Sequence, residues 1–166
     1  SGALAQDSGS DWTSGWTTYD LDGNPADFNL GKPLVVLTGV LATQTLVSTN
    51  NYVIEGRVSV PNGRTLTIQP GTALFGSVTV TPSYLVVERG GQLIAVGTPS
   101  SPIIFTSENA AGGTANSGNW GGVVLHGRAC ANCANTAAGD SCQAEGGAGS
   151  FGGADDTYNA GTMQYC

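Results

Sequence analysis

Charge is scarce in this chain. Only 10% of its 166 residues are Asp, Glu, Lys or Arg, against roughly 25% in ordinary soluble proteins. Basic residues are scarcer still. Five Lys and Arg stand against twelve Asp and Glu, for a net charge of −7. Nucleic-acid binding needs basic side chains to displace phosphate counterions, so that class is excluded. No run of about 18 apolar residues occurs, which excludes a transmembrane helix. Helix signals are nearly absent, since apolar i, i+3, i+4 stripes free of Gly and Pro are missing. There is no Asn-x-Ser/Thr sequon, so N-glycosylation is not expected.

Glycine, by contrast, is abundant, at 26 residues, more than twice the ordinary share of about 7%. The glycines follow no period of three, which excludes collagen. A hydrophobic content of 40% suffices for a core and argues against disorder. The length suits one domain. Charge divides the chain into thirds. Residues 1–33 carry Asp7, Asp11, Asp20, Asp22 and Asp27 against Lys32. Residues 34–106 are nearly neutral, with Glu55 and Glu88 against Arg57, Arg64 and Arg89. Residues 107–166 carry Glu108, Asp140, Glu145, Asp155 and Asp156 against Arg128.

The first segment, 1–33, reads as a polar arm bearing Trp12, Trp16, Tyr19 and Phe28. These aromatics are expected to pin it onto a neighbouring surface. Asp20-Leu21-Asp22-Gly23-Asn24 lacks the sixth-position glycine and closing glutamate of a calcium loop, so it reads as a polar turn. Ala3-Leu4-Ala5 fits either the remnant of an export signal or an ordinary small-residue start.

The middle segment, 34–129, is built of short β signals separated by turns. Leu66 and Ile68 alternate with Thr65, Thr67 and Gln69, the period of a half-buried strand. Pro61-Asn62-Gly63, Pro70-Gly71 and Gly90-Gly91 are turns. An internal echo, Leu66 to Leu93 and Gly71-Thr72 to Gly97-Thr98, is the kind of repeat that marks stacked architectures. A β-sandwich competes with a parallel β-helix at this point.

Several stretches together resemble a known family. They are Tyr52–Gly56, Gly63–Thr72, Leu85–Thr98, Pro102–Ser107, Asn119–Ala129, Glu145-Gly146, Phe151–Asp156 and Ala160–Tyr165. In this order they are similar to secreted bacterial β-helix surface proteins. The resemblance implies an all-β fold, a right-handed parallel β-helix of four to six short coils. An irregular N-terminal arm would precede it and a Gly-rich C-terminal region, 130–166, would follow. It also implies a secreted or cell-surface location, in a group most of whose members carry no assigned enzymatic activity. Similar chains continue past the position of Cys166 through further coils. The reading therefore predicts a fragment or an open coil end, which a second copy would cover by head-to-tail stacking into a filament.

The cysteines Cys130, Cys133, Cys142 and Cys166 fit an oxidising compartment and allow three complete pairings. Cys130 and Cys133 form a C-x-x-C, but the second close ligand pair of a structural zinc site is missing. Asp155 and Asp156, with Glu145 and Asp140 near in sequence, are the candidates for a carboxylate site or a calcium ion. The alternative for them is a solvated turn. His126 is expected to be structural, having no Ser or Cys partner nearby. Trp120 and Tyr165 are expected to pack at a coil corner or an interface. Arg57, Arg64, Arg89 and Arg128 are spread along the sequence, and the net acidity should repel an anionic substrate. The expected function is a non-catalytic extracellular structural protein that assembles with itself, without a cofactor. The alternative is a carbohydrate-binding or carbohydrate-cleaving β-helix that meets cell-surface polysaccharide.

Overall fold

The computed structural model describes residues 31–112, 114, 116–133 and 141–166. Trp12, Trp16, Tyr19 and Phe28, the Asp20–Asn24 turn and Asp140 lie outside the described residues. Twelve short strands are present among those described. They are β1 (Leu34–Val40), β2 (Gln44–Leu46), β3 (Asn51–Val60), β4 (Thr65–Ile68), β5 (Ala73–Gly76) and β6 (Tyr84–Val87). Then follow β7 (Gln92–Val96), β8 (Ile104–Ser107), β9 (Val123–Leu125), β10 (Cys142–Gln143), β11 (Ser150–Phe151) and β12 (Gly161–Gln164). No α-helix occurs among the described residues, as the missing helical stripes predicted.

The pairing is parallel throughout, apart from the small β10–β11 hairpin. One sheet runs β8-β5-β3-β6-β9 with β1 on β3, and the other runs β12-β7-β4-β2. Strands that are far apart in sequence therefore lie side by side in four successive passes. β1 and β2 form the first pass, β3 and β4 the second. β5, β6 and β7 form the third, and β8, β9 and β12 the fourth. The sandwich alternative fails here, since sandwich sheets pair antiparallel. The echo of Leu66 and Leu93 is a true register pair. The glycine echo is not, because Gly71 donates its N–H to the Ser101 carbonyl.

Alternation decides which side chains enter the core. In β4, Leu66 and Ile68 are buried while Thr65 and Thr67 are half-buried. Inward residues of successive passes stack on one another: Leu46 on Ile68 on Ala95, and Val58 on Leu85 on Val123. The main core contains Leu37, Leu46, Ile54, Val58, Val60, Leu66, Leu74, Leu85 and Leu93. A second, smaller cluster of Val53, Ala73, Phe75 and Ala110 lies apart from it. Val53, Ala73 and Phe75 alternate with the inward residues of β3 and β5, so the cluster lies outside the coil.

Trp120 is half-buried and packs against the main core. A Cβ placed on Gly76 would lie 2.4 Å from the Trp120 Cβ and 2.7 Å from its ring. Gly76→Ala is therefore expected to destabilise the fold by about 1–3 kcal/mol, the usual range for overpacking. A denaturant midpoint checks this, and an unchanged midpoint would show that Trp120 moves aside freely. Tyr165 accepts the Ile103 N–H at its carbonyl, 3.0 Å away, which continues the pairing beyond β12.

Candidate functional site

β3, β6 and β9 lie side by side, with Val60 beside Val87 and Val87 beside Leu125. The segments that leave these three strands stack in turn. Asn62 follows β3, Glu88 and Arg89 follow β6, and His126 and Arg128 follow β9. Arg57 reaches the same place from within β3. Together these side chains, with Gly149 and Ser150, line an open cavity of about 380 Å³, within the ordinary range for small-molecule sites.

The charge of the site is the reverse of that of the chain. Three of the five basic residues of the sequence line it, against one carboxylate, Glu88. Arg57, Arg89 and Arg128 are more than 30 residues apart in sequence. Reading them as scattered was therefore an error, because the coil places its passes one above another. Arg64 does not line the cavity. Among the described residues the other carboxylates, Glu55, Glu108, Glu145, Asp155 and Asp156, do not line the cavity.

Each guanidinium is held differently. Arg57 Nη2 donates to Glu88 Oε1 at 2.8 Å, and both side chains remain about one-third exposed. Arg128 lies over the Tyr158 ring at 5.5 Å, a cation–π contact. Tyr158 itself donates its hydroxyl to the Gly91 carbonyl. Arg89 has a buried Nε with no hydrogen-bond partner. His126 is 2% exposed, and its Nε2 is also buried without a partner. Buried donors and acceptors left unsatisfied are costly. Both residues line the cavity.

The Gly-rich segment after β9 forms the wall of the site. Gly149 has φ +116°, and a Cβ there would lie 3.3 Å from His126 Cε1 and 3.9 Å from Arg57 Nη2. Only glycine lets the chain turn there at that distance. Phe151 places its ring 6.5 Å from the imidazole. Burial lowers the His126 pKa below its ordinary value, and the Arg57 charge lowers it further, while Glu88 opposes them. The folded imidazole therefore resists a proton that the unfolded chain accepts near pH 6.5. Its contribution to stability is complete above that pH and is lost as the pH falls towards the lower folded value. We expect the melting temperature of the wild type to fall more steeply than that of His126→Gln over this interval. Parallel curves would contradict the burial of a neutral imidazole.

The acidic candidates occupy turns. Asp155 Oδ1 accepts the Thr157 N–H and hydroxyl, and Asp156 Oδ1 accepts the Cys130 N–H. Glu145 opens a short 3₁₀ turn, Glu145–Gly147. Among the described residues no group of three His, Cys, Asp or Glu is placed to hold a metal ion. Of the four cysteines, Cys133 and Cys142 form a disulfide, while Cys130 and Cys166 are thiols. The Cys166 Sγ lies 3.3 Å from the Ala95 carbonyl, and partial burial raises its pKa. Alkylation without reduction, followed by peptide mapping, should label Cys130 and Cys166 and spare Cys133 and Cys142. Label on Cys133 would contradict the pairing.

Parallel coils with an outward-facing polar site are a recognisable architecture, and a family model agrees with it. The model of the pectate-lyase-like β-helix domain matches residues 39–166. The chain belongs to that family. The match spans every strand from β2 onward, including the hairpin and β12. No curated protein and no solved structure matches this β-helix domain. The family name is that of a polysaccharide-active enzyme, so a carbohydrate-related role is the class to test.

Sequence reasoning missed the site because no local pattern carries it. Arg89 and His126 are single residues in turns, and their meeting depends on loops of unequal length between β5 and β6 and between β8 and β9. One signal was available. Glu88-Arg89 and His126-Gly127-Arg128 both follow a three-residue apolar run directly, and equivalent turns of a coil stack.

Proposed function

We propose that this β-helix domain is an extracellular module that binds acidic polysaccharide at the arginine-lined cavity. The observation that carries the reading is the convergence of Arg57, Arg89 and Arg128 on one cavity of an otherwise acidic chain. Guanidinium groups match carboxylates in shape and charge. The family membership supports a sugar backbone. The Cys133–Cys142 disulfide supports an oxidising, extracellular setting. The reading takes the coil as right-handed, the hand of nearly all parallel crossovers.

Binding is favoured over hydrolysis by the supply of carboxyl groups. Glycoside hydrolysis commonly uses two, facing each other across the scissile bond. The described lining offers Glu88 alone, and Arg57 already engages it. The test is calorimetric titration with trigalacturonate and with its methyl ester, which has the same backbone without the charges. The acid should bind with an affinity that falls as salt rises, and the ester should not bind. Equal binding of the two, or binding of neither, would overturn the reading.

A second reading, assembly with further copies into a surface fibre, draws on β1. Among the described residues β1 pairs only with β3, and Leu34, Val36 and Val40 are 59%, 50% and 70% exposed. Val36 lies beside Val53, so its exposed side chain extends the apolar cluster outside the coil. An apolar edge without a second strand among the described residues is a docking surface for another chain. Electron micrographs of concentrated protein should then show filaments, which Val36→Lys should abolish. Monodisperse particles at all concentrations would remove this reading.

A further inference from the structure

We propose that His126 takes up a proton from solvent when the cavity binds a carboxylate, so that acid tightens binding at this site. The inference rests on the acidic-polysaccharide reading above and assigns its regulation.

The geometry carries it. His126 lines the cavity, is 2% exposed, and has a buried Nε2 with no partner. A neutral imidazole holds one N–H, while an imidazolium offers donors on both nitrogens. The imidazolium therefore donates from Nε2 and also carries a full positive charge, whereas the neutral ring donates there only as its Nε2–H tautomer and carries no charge. Arg89, whose Nε is also buried without a partner, lines the same cavity and holds a fixed positive charge there.

The charged groups around the ring explain why the proton waits for the ligand. Arg57 from β3 and Arg89 and Arg128 from the turns after β6 and β9 are cationic, and Glu88 is the one anion in the lining. From the hairpin side the ring meets Phe151 and Gly149, neither of which carries charge. Burial and the Arg57 charge disfavour the imidazolium in the empty cavity. A bound carboxylate adds a second anion and reverses that balance. By linkage, whatever shift the ligand causes in the imidazole equilibrium, the proton causes in the ligand equilibrium.

The sequence supplies a clean probe, because His126 is the only histidine. Its ring carbon and proton resonances can be titrated in the unmodified chain, free and saturated with trigalacturonate. The free ring should titrate below about pH 6.5, and the bound ring at least one pH unit higher. Each unit of that shift corresponds to about a tenfold gain in affinity between the neutral and protonated limits. Coincident titrations, with binding visible in the same spectra, would overturn the proposal and leave the binding reading intact. Absence of binding at every pH would overturn both.

Discussion

Arg89→Ala should weaken trigalacturonate binding by about 10- to 150-fold. A hydrogen bond to a charged group contributes about 1.5–3 kcal/mol, and each 1.4 kcal/mol is a factor of ten in affinity. Arg89 is the residue of choice because it is the least engaged of the three arginines. Arg57 is tied to Glu88, and Arg128 rests on Tyr158. Removing Arg57 would also leave the Glu88 carboxylate facing the ligand, which confounds the reading of that variant. The Arg89 side chain is half-buried, so its truncation should change the melting temperature little. Calorimetric titration of folded Arg89→Ala checks this. Binding within twofold of wild type would place the ligand elsewhere.

Leu85→Ala should lower stability by about 2–5 kcal/mol, the range for burying a cavity in place of a leucine. Leu85 is fully buried in β6, stacked between Val58 of the preceding pass and Val123 of the next. The change therefore opens a gap in the middle of an inward ladder, where both neighbours are held by parallel backbone pairing and collapse poorly. Natural domains have only about 5–15 kcal/mol to lose. At roughly 2–4 °C per kcal/mol for a chain of this size, the melting temperature should drop by about 4–20 °C. Met163 in β12, 42% exposed, is the control. Met163→Ala should stay within about 0.5 kcal/mol, as surface changes do. Equal losses at the two positions would contradict a core confined to the coil interior.

Much of the fold was legible because the strands obey a local rule. Thr65-Leu66-Thr67-Ile68 alternates by itself, and its burial follows the pattern residue for residue. Turn residues divided the chain where the coil bends. The stacking was only half legible. Leu66 and Leu93 echo each other and pair, whereas Gly71 and Gly97 echo each other and do not, because a tight turn around Thr98 and Ser101 intervenes. The cysteines were only partly legible: spacing allowed three complete pairings, whereas the structure closes Cys133–Cys142 alone and leaves Cys130 and Cys166 as thiols. The site was not legible. Its residues come from within β3, from turns after β3, β6 and β9 and from the β10–β11 hairpin, and the loops between them differ in length. Sequence distance therefore says nothing about which side chains meet, and scarcity of charge hid its concentration at one place.

The central claim is that three arginines brought to one cavity form the binding surface. The chain contains four arginines in all: Arg57, Arg64, Arg89 and Arg128. Arg64 lies outside the cavity lining and serves as an internal reference. A nitrogen-edited spectrum of the arginine Nε–H groups, recorded during titration with trigalacturonate, reads all four at once. The account predicts that Arg57, Arg89 and Arg128 shift with a common saturation curve while Arg64 stays in place. A shift of Arg64 equal to the others, or stationary signals from all four at saturating ligand, would contradict it.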